Sequence, residues 1–251
     1  YYTRNTDTKY KVEYYLQNVD GTDYEINNEA TENLEGMAGA TVTAEEKTFE
    51  HFELNKDVEG TLASAEIAPD GTTVLKLYYD RNKYNVIYDG NGGTTTVADE
   101  NSPYYYGSTV TVKDKGDTAK VGYTFTEWNT EPDGSGTTYG GEGTSTFVIE
   151  GDTTIYAQYT PNTDTAYRVE YYLENLEKTG FDIDESAGYT DAGTTDTEAT
   201  AEIKTFPGFT LDETVSGSML SGIIAGDGSL VLKVYYTRNT DTKYKVEYYL
   251  Q

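Results

Sequence analysis

Residues Tyr10 to Leu16 read YKVEYYL, and their side chains alternate in character along the chain. In an extended strand every second residue faces the same side. One face then carries the more apolar set, which is Tyr10, Val12, Tyr14 and Leu16. The other face carries Lys11, Glu13 and Tyr15. This pattern predicts a strand with one face buried and one face in contact with solvent.

The same strand recurs because the chain is built from repeats. The 17 residues of 1–17 reappear without change as 235–251, which indicates one period of a tandem array. Within that period, residues 10–82 align without a gap with residues 167–239, so that YKVEYYLQN at Tyr10 is matched by YRVEYYLEN at Tyr167. We therefore predict that these two segments share one fold.

The repeats define a set of domain boundaries. We predict the end of a preceding repeat and a linker in 1–8, a first module in 9–82, a middle module in 83–160 and a third module in 161–239. Residues 240–251 are predicted to be a linker and the first strand of a further repeat. Each module has about 75 residues, which is small but sufficient for a domain that neighbours support.

Strand patterns dominate the rest of the chain. Thr72 to Tyr79 alternates like the first strand, and Pro69-Asp70-Gly71 before it is typical of a turn. The stretch Asn28 to Ala38 could hold a short helix, and we expect no more than one such helix in each module. The predicted fold class is mainly β, or α+β at most.

Composition limits the partners of this chain. It contains 26 tyrosines and no cysteine, and its formal net charge at pH 7 is -26. Nucleic-acid binding needs a basic face, and an anionic membrane surface would repel so acidic a chain, so neither partner is expected. The absence of Cys excludes a disulfide scaffold.

The middle module carries an ordered set of motifs that resembles a known family. These motifs are YNVIYDGNGG at Tyr84, Tyr106-Gly107, GYTF at Gly122, WNT at Trp128, DGSGT at Asp133 and DTTIYAQY at Asp152. They resemble the Listeria–Bacteroides repeat, also known as the internalin B-repeat, across the whole module. Two positions depart from that pattern, Glu127 and Tyr159.

The flanking modules are similar, more loosely, to mucin-binding-protein-type repeats, through the VEYY strand, the central Phe-x-x-Phe-x-Leu and the closing LKxYYxRN strand. Both families are similar to the β-grasp fold. The resemblance implies three tandem β-grasp-like modules in an extracellular, cell-wall-anchored surface adhesin of a Gram-positive bacterium.

Sites for catalysis or metal binding are not predicted. His51 is the single histidine, and the third module has Gly208 at the same repeat position, so we interpret His51 as a surface or edge residue. Trp128 is predicted to pack in a core. Turns such as Asp133-Gly134 lack the full acidic spacing of a calcium loop, which favours ordinary turn chemistry. We expect no enzyme activity, no cofactor and no metal.

Tyrosine is the residue type with a functional interpretation. Adjacent tyrosines on a strand must place one ring away from the core. Outward rings could stack on sugars or contact a host protein, or they could serve only cross-strand packing, and both interpretations stay open. The candidate ligand contacts are Tyr15, Tyr79, Tyr104, Tyr105, Tyr172 and Tyr236.

Short seams between the modules suggest a mechanical role. The seams at 80–83, 160–166 and 237–243 are polar and contain no Gly, unlike flexible linkers. We therefore expect an elongated rod, roughly 100 Å long if each module presents strands of about ten residues lengthwise. The favoured function is a non-enzymatic stalk that projects a distal binding domain from the cell wall. The alternative is a set of adhesive repeats that bind mucin-type glycans or a host surface protein.

Overall fold

The computed structural model describes residues 3–249, and within them every regular element is a β-strand. The prediction of a mainly β fold is confirmed. None of these residues lies in a helix that could cross a membrane. Tertiary contacts divide the chain into two compact units. One contains Tyr1–Asp89, Val97–Gly116 and Trp128–Tyr156, and the other contains Gly90–Thr96, Asp117–Glu127 and Ala157–Gln251.

The first module contains seven strands. They are β1 (Thr8–Gln17), β2 (Tyr24–Ile26), β3 (Glu32–Gly36), β4 (Thr41–Thr43), β5 (Phe52–Asn55), β6 (Ser64–Glu66) and β7 (Val74–Arg81). The main sheet has the order β2–β1–β7–β5, and β3 also pairs with β1. β1 and β7 run parallel, whereas β4 and β6 form a separate antiparallel pair. The expected alternation of β1 is present, because Val12 and Tyr14 are buried.

The stretch 28–38 holds a turn followed by β3 and no helix. β3 pairs along the N-terminal half of β1, from Thr8↔Gly36 to Val12↔Glu32. Pairing with β1 satisfies the backbone groups that a helix would have bonded internally. This segment therefore forms a turn and a strand, and the short helix considered for it is absent.

The middle module has eight strands. They are β8 (Lys83–Tyr84), β9 (Val86–Asp89), β10 (Tyr104–Tyr105), β11 (Thr109–Thr111), β12 (Tyr123–Asn129), β13 (Thr138–Tyr139), β14 (Thr146–Val148) and β15 (Thr153–Pro161). Its main sheet has the order β13–β12–β15–β9, with β9 and β15 parallel. Trp128 is fully buried and meets the Tyr88 ring edge-on at 5.0 Å, so the predicted core position of Trp128 is confirmed.

The third module repeats the first. Its strands are β16 (Thr165–Glu174), β17 (Phe181–Ile183), β18 (Tyr189–Gly193), β19 (Glu198–Thr200), β20 (Phe209–Leu211), β21 (Ser221–Ile223) and β22 (Val231–Arg238). The sheet order is β17–β16–β22–β20, β18 also pairs with β16, and β19 pairs with β21. Strand for strand this is the arrangement of the first module, which confirms that the two aligned segments share one fold.

Residues 240–249 form no strand, and the last two residues of the predicted segment 240–251 lie outside the described residues. Val246 and Tyr248 are 57% and 90% exposed, although the identical letters in β1 are buried. In the first module that sequence is held by β2, β3 and β7, and no strand of the described chain pairs with residues 240–249. A strand needs neighbouring strands to take up its backbone hydrogen bonds and a core to cover its apolar face.

Candidate functional site

The strand alternation decides which of the candidate tyrosines face outward. Tyr15 and Tyr172 are half-buried and lie on the side of their sheets opposite the core. Tyr79 and Tyr236 are only 1% and 2% exposed. The prediction that these last two rings face outward is wrong. Tyr79 shares a face with the buried Leu75 and Leu77, so the outward ring of its pair is the preceding tyrosine.

The two buried rings have a structural task. Tyr79 packs edge-on against Phe49 at 4.8 Å between ring centroids, and its hydroxyl accepts a hydrogen bond from Lys47 N at 3.0 Å. Burial raises the pKa of Tyr79 above its ordinary value. In the third module Tyr236 packs on Phe206 at 4.8 Å and donates to a backbone carbonyl. Both rings therefore belong to their cores and offer no surface to a ligand.

Each flanking module presents a stacked tyrosine pair on its outward face. Tyr15 and Tyr78 lie opposite each other in the parallel register, with ring centroids 4.8 Å apart and an interplanar angle of 18°. The third module has the same pair, Tyr172 and Tyr235, at 4.7 Å and 14°. We call these the outward tyrosine pairs. Because parallel neighbouring strands lie about 4.8 Å apart, residues in register stack without distorting the backbone.

A charged pair borders the first outward tyrosine pair. Glu13 accepts hydrogen bonds from the Tyr15 hydroxyl at 2.7 Å and from Lys11 Nζ at 3.1 Å. Partial burial works to raise the pKa of Glu13, but these hydrogen bonds and the nearby lysines hold it below its ordinary value. Desolvation and the hydrogen bond to Glu13 raise the pKa of Tyr15 to about 12. The phenol is therefore neutral, and the carboxylate ionised, at neutral pH.

A third ring closes one side of each outward tyrosine pair, with different chemistry in the two copies. In the first module Tyr24 meets Tyr78 edge-on at 5.2 Å and its hydroxyl bonds to Asp80. Burial and that bond raise the pKa of Tyr24. Asn55 Nδ2 donates to the same carboxylate at 2.7 Å. In the third module Phe181 takes the edge-on place at 5.1 Å and has no hydroxyl to donate.

Tyr104 is half-buried and lies beside an open, polar cavity of about 350 Å³ in the middle module. Its hydroxyl donates to Asp99 Oδ2 at 2.7 Å, and desolvation together with this bond raises the pKa of Tyr104 to about 12. The carboxylate of Asp99 is fully buried and lies 3.5 Å from Lys113 Nζ. Asn101 and Glu142 also line the cavity, so its walls carry both hydrogen-bond donors and acceptors.

Tyr105 belongs to the contact between the first and middle modules. A Cβ placed on Gly21 would overlap the Tyr105 ring, so the ring lies directly on the backbone of that turn. Lys83 Nζ lies 4.3 Å from the centroid of the same ring. A ring held between these partners has limited area for an external ligand.

His51 is the residue that sequence reasoning missed. It is not a bare edge residue, because its ring stacks on Tyr106 at 3.8 Å and 12° and its Nδ1 lies 2.9 Å from the Tyr84 hydroxyl. Arg81 Nη1 donates to the Tyr106 carbonyl at 3.2 Å. We call this set the first joint. The sequence signal for the first joint was that the first module has His51 at the repeat position where the third module has Gly208. The backbone is left-handed at both positions, with φ of 64° at His51 and 83° at Gly208.

A second joint links the middle module to the third. The Gly122 carbonyl accepts from Asn162 N at 2.9 Å and from Thr195 Oγ1 at 2.8 Å. A Cβ on Gly122 would overlap the Cα of Gly226, so two backbones touch here without side chains between them. The Tyr123 hydroxyl also donates to Asp196. Apart from the Tyr123–Asp196 hydrogen bond, this joint consists of backbone groups and small residues.

The other candidate sites carry ordinary structural chemistry. Asp133 Oδ1 accepts from Ser135 N at 3.0 Å and from Ser135 Oγ at 2.6 Å, which is a side-chain-capped turn. Hydrogen bonds from Ser135 lower the pKa of Asp133. Within residues 3–249, no three His, Cys, Asp or Glu side chains are grouped so that they could hold a metal ion.

Comparison with protein families agrees with the motifs of the middle module. Residues 84–158 match the family model described as Flg_new, the Listeria-Bacteroides repeat domain. This is a repeat of surface proteins, and the resemblance predicted for the middle module is confirmed.

Two curated relatives come from Evansella cellulosilytica. One, named "Putative Gly-rich membrane protein", is 42% identical over 89 residues, which is 35% of this chain and 10% of that protein. The other, named "Putative membrane protein", is 37% identical over 89 residues, or 35% of this chain and 13% of its own length. The matched segment is therefore a small part of much longer proteins.

Among solved structures, the chain is similar to the Bacillus anthracis TIE protein. The alignment covers 93% of this chain and 51% of that one at 13% identity, with a TM-score of 0.34. A likeness at this level is too weak to establish a shared fold.

Proposed function

We propose that this chain is a non-enzymatic stalk segment of a bacterial cell-surface adhesin. The observation that carries the proposal is the pair of bonded joints. The seams at 80–83 and 160–166 are short, and each is bridged by contacts, the His51–Tyr106 stack at the first and the hydrogen bonds to the Gly122 carbonyl at the second. Modules tied in this way lose freedom to pivot, which suits an element that holds a distal binding domain at a distance.

The proposed location is the extracellular face of a Gram-positive bacterium, with the full protein anchored to the cell wall. The surface-repeat family of the middle module and the names of the two relatives support this location. In this proposal the flanking modules are mucin-binding-protein-type repeats of β-grasp form. The main partners are neighbouring repeats in the same chain, and neither nucleic acid nor a membrane surface is bound.

A second candidate is adhesion by the repeats themselves. The outward tyrosine pairs favour it, because both flanking modules present half-exposed aromatic rings beside a Glu and a basic residue. Aromatic rings and carboxylates are common in sugar recognition, and two copies in one chain would add avidity to a weak contact. The partner would be a mucin-type glycan or a host surface protein.

Binding assays separate the two candidates. The chain is applied to a glycan array and to mucin-coated surfaces beside a Tyr15→Ala/Tyr172→Ala double variant and a control, Leu176→Ala, which changes a residue that is 75% exposed. The stalk proposal expects no binding by any of the three. Binding that the tyrosine variant loses and the control keeps would favour the adhesive repeats instead.

Small-angle scattering tests the positional part of the proposal. A rod of three modules should have a maximum dimension of roughly 100 Å. A compact globule of this length would have a radius of gyration of about 18 Å, and the stalk should exceed that value clearly. A globular profile would overturn the stalk proposal.

A further inference from the structure

In every module the first and last long strands are direct neighbours and run parallel. In the first module β1 and β7 pair over six residues, from Lys11↔Val74 to Leu16↔Tyr79. In the third module β16 and β22 pair over six residues, from Arg168↔Val231 to Leu173↔Tyr236. In the middle module β9 and β15 pair over four residues, from Thr153↔Val86 to Tyr156↔Asp89.

This topology determines how a pulling force acts on a module. The chain enters at the N-terminal end of the first strand and leaves at the C-terminal end of the last. Tension therefore pulls two parallel neighbours in opposite directions along their own length. The ladder hydrogen bonds run across the strands, so they must fail together and cannot open one after another from an end. We infer that each module is a shear clamp and that the chain bears mechanical tension.

Side chains on the core face oppose sliding in the flanking modules. Tyr14 of β1 and Leu77 of β7 are fully buried. The Tyr14 hydroxyl also donates to the Glu45 carbonyl at 2.9 Å. A slip of one residue would turn the buried face of a strand outward, and a slip of two would remove Tyr14 from its pocket. Displacement along the strand therefore carries a large free-energy cost before the ladder itself has opened.

The outward tyrosine pairs span the same two strands. The Tyr15–Tyr78 stack joins β1 to β7, and the Tyr172–Tyr235 stack joins β16 to β22. Such contacts contribute about 0.5–1.5 kcal/mol beyond the area they bury. These pairs therefore have a task other than ligand contact, because a stack across sliding strands must separate before the strands can move.

An arginine latch lies at one end of each flanking clamp. Arg81 N donates to Gln17 Oε1 at 3.1 Å, and Arg81 Nε donates to the Gln17 carbonyl at 3.0 Å. The third module has the same geometry, with Arg238 N bonded to Glu174 Oε2 and Arg238 Nε bonded to the Glu174 carbonyl, both at 2.9 Å. The last residue of the final strand is thereby tied to the last residue of the first strand.

The middle clamp is shorter and has no aromatic stack between its outward residues. Ile87 faces outward at 56% exposure, and its partner in the register is Thr154. With four pairs in place of six, and with no ring stack at Ile87–Thr154, the middle clamp should yield at the lowest force. The order of mechanical failure is therefore middle module first and flanking modules later.

Single-molecule pulling in two directions tests the clamp. The chain has no native Cys, so introduced cysteines give unique handles. Ala166→Cys with Asn239→Cys places handles at the start of β16 and just past β22, and loads the third module in shear. Glu177→Cys with Asn239→Cys places both handles beyond the C-terminal ends of the same strands, and peels them apart. All three replaced residues are exposed.

The shear direction should need a rupture force about two-fold higher or more than the peeling direction, since only the geometry of loading differs. Adding Tyr235→Ala should lower the shear force and leave the peeling force nearly unchanged. Equal forces in the two directions would overturn the clamp. The inference rests on the proposed stalk role for its biological use, but its test does not. Glycan binding would remove the stalk proposal without changing the forces.

Discussion

The two joints of this chain hold neighbouring modules by different means. The first joint depends on side chains, with the His51 ring stacked on Tyr106 and Arg81 bonded to the Tyr106 carbonyl. In the second, two backbones meet at Gly122 and Gly226, which have no side chains, and Thr195 Oγ1 and Asn162 N donate to the Gly122 carbonyl. The seam sequences are polar in both cases, so composition alone does not distinguish them.

The comparison shows how a repeat can keep its fold and change its connections. In both copies the residue just after the last strand of the module donates to the carbonyl at the equivalent repeat position. Asn82 N donates to His51 O and Asn239 N donates to Gly208 O, each at 2.9 Å. The backbone geometry is therefore shared. The aromatic joint depends on one substitution at a position where the backbone is left-handed in both copies. The seam at 80–83 is the shortest, so we expect the first joint to be the stiffest.

The largest effect is expected from adding a methyl group to the second joint. Gly122→Ala places a Cβ against Gly226 at a left-handed φ of 80°, and should destabilise the unit by about 3 kcal/mol or more. Gly208→Ala is the matched control, because its φ is 83° and nothing lies within 4 Å of the new Cβ. The control should lose only about 1 kcal/mol. Urea unfolding measures both, and equal losses would contradict the close backbone approach.

A smaller loss is expected from removing one hydroxyl of the second joint. Thr195 is 1% exposed, and its Oγ1 donates to the Gly122 carbonyl at 2.8 Å and lies 2.7 Å from Thr165 Oγ1. Thr195→Val keeps the shape and removes both hydrogen bonds, for a loss of about 2 kcal/mol. Thr163→Val, at an exposed position of the same seam, is the control and should change little. Hydrogen exchange at Gly122 and Asn162 should rise only in the Thr195 variant.

The first joint should respond to the loss of its ring. His51→Gly removes the stack on Tyr106, and a double-mutant cycle with Tyr106→Ala should give a coupling of about 1 kcal/mol. The mirror variant Gly208→His adds a ring where nothing lies within 4 Å of the Cβ, so it should gain no stability. Stability is measured by thermal unfolding, and opening of the first joint by the rate of limited proteolysis at 80–84. A coupling near zero would show that the stack does not hold the modules together.

Alkaline pH should loosen the second joint. The hydrogen bond to Asp196, followed by desolvation, raises the pKa of Tyr123 above its ordinary value of about 10. A phenol whose pKa is raised by folding contributes stability below about pH 10, and that contribution is lost as the pH rises through the folded pKa. Tyr123→Phe should remove this part of the alkaline transition. The transition is measured by hydrogen exchange of the Asp196 amide. Tyr244→Phe, at a ring that is 90% exposed, should leave the transition intact.

Much of the fold was predictable because it rests on local alternation and on repetition. The Val12 and Tyr14 face of β1 followed from alternation, the common strand order of the flanking modules from their repetition, and the burial of Trp128 from its place between strand-like segments. The prediction that Tyr79 faces outward was wrong, although the alternation places Tyr79 on the same face as Leu75 and Leu77, which is the core face. The role of His51 was not predictable in this way, because its partners Tyr84 and Tyr106 come from a different module.

The sequence by itself determined the strand periodicity, the module repeats, the acidic surface and the family resemblance of the middle module. It did not decide whether a strand-forming sequence becomes a strand. Residues 8–15 and 242–249 have the same eight letters, yet Val12 is 1% exposed within β1 and Val246 is 57% exposed in an irregular segment. A strand is stable only when neighbouring strands take up its hydrogen bonds and a core covers its apolar face. Those partners lie far away along the chain, so only tertiary structure can supply them.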